Sequence, residues 1–302
     1  MINTKDSPQR GKAAFLRELP ASLALIPMFL TVVVVFVGCL VWTIILSFTS
    51  SKLMPVMRFV GFEQFMTLAN NTRFITSYVN LFIFGGLFIV GCLVFGFLLA
   101  VFIDQKVKGE GLFRTIFLMP HAMSFIVTGI AWQWMLNPEL GIQKLFHDIG
   151  LVSIHIDWLT SQRMAIYTVV IAGIWQSAGL AMIILLAGLR GVDADIWKAS
   201  RIDGVSTPRY YFSIVLPLIT PAIVTATVLL SAAVFKLYDL VVAMTKGGPG
   251  IATEVPAKFI MDTMFERANV GLAAAAAVVL LITLAAILAP VVYARRAMRT
   301  FS

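Results

Sequence analysis

The chain has little charge: Asp, Glu, Lys and Arg make up 13% of its 302 residues, whereas hydrophobic residues make up 60%. Soluble domains carry about a quarter charged residues, so most of this chain is expected to lie in lipid rather than in water. The formal net charge of +8 does not indicate nucleic acid. The basic residues lie beside the ends of apolar runs, where they set membrane topology. No nucleic-acid partner is therefore predicted.

The chain also lacks the residue patterns that enzyme and metal sites need. Its two cysteines, Cys39 and Cys92, lie inside apolar runs and form no disulfide framework. Its three histidines, His121, His147 and His155, form no metal-binding pair. The sequence contains no G-x-x-x-x-G-K-[ST] loop that would cradle the phosphates of ATP. It therefore predicts no catalytic residue, no metal and no cofactor held by this chain.

Six apolar runs are long enough to cross a bilayer, which takes about 20 helical residues. Backbone amides in hydrocarbon need partners within their own segment, so these runs are predicted to be helices. The expected fold is an all-α integral membrane domain over 22–293, with cytoplasmic tails at 1–21 and 294–302. The six spans are placed at 22–48, 78–103, 112–136, 164–189, 217–243 and 271–293.

Basic residues concentrate in the two tails and in the second-to-third and fourth-to-fifth connections. The positive-inside rule makes this side cytoplasmic, so both termini are predicted to be inside. The opposite loops, near 49–77, 137–163 and 244–270, are too short to fold as separate large domains. The chain is therefore expected to be a multi-pass membrane protein.

A polar segment between the fourth and fifth spans carries clear helix signals. Asp193 can cap a helix, and Gly204 can take the left-handed turn that ends it. Thr207 can cap a second helix with Pro208 at its first position. Residues 190–217 are thus predicted to form a helix–turn–helix at the cytoplasmic surface. It is either a docking element or an ordinary interfacial hairpin.

The same segment resembles the EAA loop of bacterial ABC importer permeases. That pattern begins with two small residues and has a glycine four positions after the second of them. Nine further residues separate this glycine from an Ile-x-Leu-Pro sequence. Arg201 and Asp203 match the form common in sugar permeases, whereas Lys198 stands at the family's glutamate position, so any salt bridge from that glutamate is absent or reversed. In the family this loop forms the coupling helix that fits a cleft on the ATP-hydrolysing subunit. The matching residues are Ala199, Ser200, Gly204, Ile214, Leu216 and Pro217.

Four further segments follow in the order and spacing seen in that family. The chain is therefore identified as a member of the permease subunits of binding-protein-dependent ABC sugar importers. The resemblance implies a bacterial inner-membrane location. It also implies a second permease in a heterodimer, two ATP-binding subunits that hold ATP and Mg, and an extracytoplasmic sugar-binding protein. The form of 238–250 favours a glucoside or glucose-type sugar. The segments are FVGFEQF (59–65), GLFRTIFLMP (111–120), WQWMLNPELG (132–141) and YDLVVAMTKGGPG (238–250).

A path for a neutral sugar needs hydrogen-bonding groups and flat apolar faces in the bundle interior. A cation inside a span is costly, which points to Lys236, although its side chain can also snorkel to the outer surface. Gln176 lines the path or instead bridges helices. The candidates are Asn80, Gln133, Trp175, Gln176, Ser177, Lys236 and Tyr238.

The GGPG turn on the outer side bends sharply because its glycines can adopt positive φ. Gly247, Gly248 and Pro249 are expected to contact the binding protein or to shape an outer gate. The alternative is a plain loop.

Two other functions are open. A self-sufficient secondary carrier ought to show inverted repeats, and a proton-coupled one an acidic residue near mid-span; the sequence shows neither. An intramembrane enzyme needs a nucleophile–base pair or a metal cluster at membrane depth. His121 alone, near a span end, does not supply one.

Overall fold

The computed structural model describes residues 26–54, 56, 58–105, 107–150 and 157–300. Within those ranges the chain is helical, and its one β-bridge joins Thr49 and Phe59. The all-α prediction is confirmed. The predicted N-terminal tail, 1–21, and the last two residues of the predicted C-terminal tail lie outside the described residues.

The helices follow one another with short connections. In the part of the chain that the structure describes, three stretches are π-helical: Val33–Val37, Tyr210–Val215 and Asp262–Glu266. In chain order the helices are α1 (Ile26–Ser47), α2 (Glu63–Ala69), α3 (Thr72–Asp104), α4 (Glu110–Ala122), α5 (Phe125–Met135), α6 (Ile142–Asp148), α7 (Ala165–Arg190), α8 (Ala194–Ile202), α9 (Thr207–Leu218), α10 (Thr220–Phe235), α11 (Tyr238–Met244), α12 (Pro256–Met261) and α13 (Val270–Thr300).

Four of these helices, α1, α3, α7 and α13, are long and apolar enough to cross a membrane on their own. Two further candidates are bent pairs: α4 with α5, at 95°, and α9 with α10, at 73°. The described part of the chain therefore has up to six spans if each bent pair counts as one. The runs 112–136 and 217–243, predicted as uninterrupted helices, are each broken.

Both breaks follow from local sequence. Pro120 lacks an N–H, and three residues later Met123 is extended (φ −81°, ψ 150°). Ser124 then starts α5 by accepting a hydrogen bond from the N–H of Val127 at 3.3 Å. At the second break, Pro221 lies in the first turn of α10, directly after the bend at Ile219.

The centre of the bundle is the contact between α3 and α7, the most extensive helix pair of the described fold. Phe84 and Phe88 of α3 pack with Val169 of α7, Leu230 of α10 and Leu240 of α11 in one buried cluster. Burial of such side chains contributes about 1.5–3 kcal/mol each.

The helices α3 and α7 run in the same direction. Their C-terminal ends meet where Arg190 Nε lies 3.7 Å from Asp104 Oδ1. The helix α8 follows at once, so this end of the bundle is called the α8 end. The first turns of α3 lie beside residues 245–255 at the opposite end, because the Asn80 amide bonds the carbonyls of Ala252 and Glu254. That end is called the loop end.

Small residues let α7 approach its neighbours closely. A Cβ on Gly96 would lie 2.7 Å from the Cβ of Ala181, and a Cβ on Gly179 would lie 2.1 Å from the backbone oxygen of Phe117. The α4–α7 and α3–α7 contacts therefore depend on the absence of these side chains.

We expect Gly179→Ala to lower the midpoint of thermal unfolding in detergent, because the new methyl group collides with a backbone atom that has little room to move. Overpacking of this kind costs about 1–3 kcal/mol. The matched control is Gly86→Ala, since nothing lies within 4 Å of a Cβ there. An unchanged midpoint for Gly179→Ala would contradict the close packing of α4 on α7.

Candidate functional site

At the α8 end, the predicted helix and turn are present. Asp193 caps α8, its carboxylate accepting a hydrogen bond from the N–H of Asp195 at 2.9 Å. Gly204 takes the left-handed turn with φ +70°, and the N–H of Val205 donates to Ser200 O at 2.9 Å. The prediction that Thr207 caps α9 is wrong by one residue, because Ser206 is the capping residue (φ −67°, ψ 148°).

One face of α8 projects away from the bundle. Asp195, Lys198 and Ile202 are spaced by three and four residues, so they lie on the same face. Ile202 is 86% exposed, an unusual state for a large apolar side chain. Lys198 Nζ lies 2.7 Å from Asp195 Oδ1, so the exposed lysine has its counterion within the same helix. We call these three residues the docking strip.

The opposite face of α8 packs on α9, and the two aromatic residues of this contact, Trp197 and Tyr210, were not singled out by sequence reasoning. The Trp197 ring meets the Tyr210 ring edge to face, with centroids 4.6 Å apart. The Arg201 guanidinium lies 5.5 Å from the centroid of Trp197. Ser200 is buried and donates to Trp197 O at 2.7 Å. The presence of aromatic residues on both sides of the predicted turn could have indicated this contact from the sequence.

The two halves of the predicted coupling motif play different structural parts. Ala199 and Asp203 lie on or directly after α8 and are exposed. Ile214 and Leu216 lie in α9 and pack, partly buried, against a cluster that includes Met182 and Leu185 of α7. Pro217 precedes the bend at Ile219. The motif thus joins a protruding helix to the bundle core.

The start of this segment is also tied to the bundle by charge. Arg190 Nη2 lies 2.8 Å from Glu110 Oε1, at the start of α4. The Nε atom of the same arginine lies near Asp104 of α3. These side chains are partly exposed, so water screens each pair and its contribution to stability is small. Together they connect the base of α8 to α3, α4 and α7.

Near the α4–α5 break, Gln176 of α7 is buried, with 3% of its surface exposed. Its Nε2 donates to the carbonyl oxygen of Met123 at 2.8 Å. This bond satisfies one backbone group at the break, where the helix cannot. Its Oε1 is buried and has no hydrogen-bond partner among the described residues. The neighbouring Trp175 meets Trp132 edge to face at 6.1 Å.

The other predicted path residues are not brought to one place. Ser177 is buried beside Gln176 in α7. Lys236 is exposed and lies in the short interruption between α10 and α11, and Tyr238, half-buried, begins α11. Asn80 is buried, and its side-chain amide donates hydrogen bonds to two backbone carbonyl oxygens of the loop 245–255.

Gln133 does meet the predicted gate residues. It lines a cleft of about 290 Å³ together with Gly248 and Pro249. One predicted path residue and two of the three predicted gate residues thus line one cleft, at the loop end.

The loop 245–255 has a compact shape set by its own hydrogen bonds. The hydroxyls of Thr245 and Thr253 lie 2.6 Å apart, and Thr253 Oγ1 donates to Gly248 O at 3.0 Å. Gly247 has φ +90°, and Lys246 also has positive φ, at 53°. A Cβ on Gly247 would lie 2.9 Å from Lys258 Cε, so only glycine fits there.

Beneath the loop lies a group of four charges that sequence reasoning missed. Arg73 pairs with Glu254 at 2.9 Å and with Asp262, and Lys258 Nζ lies 2.5 Å from Asp262 Oδ2. We call Arg73, Glu254, Lys258 and Asp262 the ion cluster. Burial raises the pKa of the Glu254 carboxyl above its ordinary value, and the Arg73 and Lys258 cations oppose that rise. In the sequence, Glu254, Lys258 and Asp262 are each four residues apart, a spacing typical of ion pairs on one helix face, and this could have indicated part of the cluster.

Similarity to known proteins agrees with this geometry. Residues 108–298 match the family described as "Binding-protein-dependent transport system inner membrane component". A probable ABC transporter permease protein of Pyrococcus horikoshii is 36% identical over 90% of this chain and 94% of its own length. A xylose/arabinose import permease protein of Haloferax volcanii is 31% identical over 76% of this chain and 73% of its own.

A solved structure shares the fold. The bacterial alginate ABC transporter, in complex with an alginate pentasaccharide-bound periplasmic protein, has a chain that superposes with a TM-score of 0.79. The superposition covers 96% of this chain and 97% of that chain at 20% identity. The family match covers more than half of the sequence, and the chain belongs to the binding-protein-dependent transport system inner membrane components.

Proposed function

We propose that this chain is the transmembrane permease subunit of an ATP-driven sugar importer and forms half of its translocation pathway. The observation that carries the proposal is α8, a short capped helix whose docking strip stands clear of the bundle. Ile202, 86% exposed at the end of α8, gives the docking strip an apolar contact point beside the charges of Asp195 and Lys198. Relatives named for xylose/arabinose import and for alginate support a saccharide substrate.

In this proposal α8 is the coupling helix, and the docking strip fits a cleft on an ATP-binding subunit. Two such subunits hold ATP and Mg, and their ATP-driven closure pushes α8; this chain holds neither ligand. The movement of α8 passes through Trp197 and Tyr210 into α9 and then into the core. A rigid docked helix of this kind can bias a bundle between two states.

The remaining partners are a second permease, which completes the pathway as a heterodimer, and an extracytoplasmic sugar-binding protein at the loop end. The basic α8 end and both termini are cytoplasmic by the positive-inside rule. For the sugar, the form of residues 238–250 favours a glucoside or glucose-type molecule. Gly247, Gly248 and Pro249 then face the binding protein or form the outer gate.

The two broken helix pairs support a pathway beside α7. Discontinuous helices in transporters place free backbone groups where a substrate passes. Gln176 stands at the α4–α5 break with one bonded nitrogen and one unpartnered oxygen. A sugar hydroxyl is a suitable donor for that oxygen. Trp132, Trp175 and Gln133 supply aromatic and polar surface nearby on α5 and α7.

The first experiment is a mild-detergent pulldown of the tagged chain from its host membranes, followed by mass spectrometry. We expect an ATP-binding subunit and a second permease to be recovered with it. A binding protein encoded nearby is then screened against sugars. Recovery of the chain alone, with transport intact after reconstitution, would instead show a self-sufficient secondary carrier.

Gly204→Asp tests the coupling role of the α8 end. Gly204 is exposed and no atom lies within 4 Å of a Cβ there, so the bundle has room for the side chain. We expect the added charge beside the docking strip to abolish most sugar uptake, through lost assembly or through ATP hydrolysis that no longer drives transport. Gly204→Asn is the matched control, because asparagine tolerates positive φ and carries no charge. Normal uptake by Gly204→Asp would refute the coupling assignment.

Gln176→Leu tests the pathway. We expect a loss of stability of about 1–3 kcal/mol, because the Met123 carbonyl loses its partner, and a drop in uptake larger than the drop in protein amount. Gln133→Leu is the control for stability, because that side chain is exposed. If uptake per folded Gln176→Leu molecule equals that of the wild type, Gln176 is only a link between helices.

A further inference from the structure

We propose that the ion cluster is a set of positioning residues, which hold the loop 245–255 in the shape that meets the binding protein. The four side chains come from three places: the first turn of α3, the end of the loop, and α12 with the turn after it. The proposal rests on the proposed function, in which the loop end faces the binding protein.

The geometry makes Asp262 and Arg73 the centre of the cluster. Asp262 Oδ2 contacts both Arg73 Nη2 and Lys258 Nζ. The same Arg73 nitrogen reaches Glu254 Oε1, and Lys258 lies 3.9 Å from the other Glu254 oxygen. Two acids and two bases thus balance in charge, and none of the four side chains is more than 19% exposed.

The loop rests directly on this cluster. The Cα of Gly247 faces Lys258 and Glu254, with room for no Cβ between them. The Asn80 amide donates to Ala252 O at 3.0 Å and to Glu254 O at 2.9 Å. The loop is therefore attached to α3 through Asn80 and through Arg73, which lie about two turns apart on that helix.

The part of the loop that is exposed above the ion cluster is small. Lys246 and Gly250 are exposed at the tip, and Ile251 is 37% exposed. Lys246 and Gly250 both have positive φ, at 53° and 64°. Glycine adopts positive φ freely, whereas Lys246, which carries a side chain, keeps this backbone conformation only when its surroundings over-determine it. The ion cluster and Asn80 provide that support from below.

Stability alone does not require charges at this place. Replacing a buried ion group with apolar residues of similar volume is often neutral or stabilising, whereas removing one member leaves an uncompensated charge. The cluster is better suited to fixing one arrangement of α3, α12 and the loop, because each carboxylate is shared between two cations.

Arg73→Met and Arg73→Lys form a matched pair for the test, since both side chains are long and unbranched and only lysine keeps the cation. In the purified complex, we expect hydrogen exchange of the amides at 246–255 to be about tenfold faster in Arg73→Met, because local opening becomes easier. Arg73→Lys should stay within about twofold of the wild type. Glu110→Gln, which breaks an exposed pair at the α8 end, should leave the exchange of this loop unchanged.

The second readout is stimulation of ATP hydrolysis in the purified complex by the purified binding protein that is encoded nearby. For Arg73→Met we expect the half-saturating concentration of binding protein to rise about tenfold, since fewer loops are in the bound shape. The maximal stimulated rate should fall less, and Arg73→Lys should restore the wild-type concentration. A purely structural role would lower protein amount and maximal rate without this split.

Asp262→Asn, which preserves shape, replaces Arg73→Met if the latter does not assemble. Loop exchange that is equal in Arg73→Met, Arg73→Lys and wild type would overturn the proposal, as would faster exchange without a change in half-saturation. If the binding protein does not stimulate even the wild-type complex, the proposed function fails instead, whatever the variants show.

Discussion

The packing of α3 against α7 is the contact on which the rest of this structure depends. Apolar side chains gain little free energy by moving from lipid into the protein interior. Helices in a membrane therefore associate through close packing and hydrogen bonds. Gly96 and Gly179 provide that closeness for α7, toward α3 and α4 respectively. With these helices fixed side by side and in the same direction, the two ends of the bundle take distinct chemical characters.

The α8 end and the loop end are each stabilised by a different kind of interaction. Each holds a short polar segment in one shape outside the apolar bundle. At the α8 end, an aromatic pair, Trp197 with Tyr210, and a capped helix do this. At the loop end, buried charges and the Asn80 amide do it. Ring packing between α8 and α9 holds the first segment, and buried ion pairs beneath the loop hold the second.

Much of this could be predicted from the sequence, because its signals are local. Long apolar runs predict helices, and Asp193 with Gly204 predicts the start and end of α8. The breaks at Met123 and Ile219 were missed, since average hydropathy over a run does not register a bend of one or two residues. The ion cluster was missed because Arg73 is almost two hundred residues from Asp262 in the chain. Nothing in the sequence reveals which helix faces bring them together.

The length of α3 has a mechanical consequence. Its 33 residues reach from the ion cluster at one end to the neighbourhood of α8 at the other, a distance of about 50 Å at 1.5 Å per residue. A rigid helix of this length that tilts by about 5° about its midpoint displaces its two ends by about 2 Å in opposite directions. Under the proposed function, a displacement at the α8 end would therefore reach the ion cluster through α3 itself, without a chain of side-chain rearrangements between them.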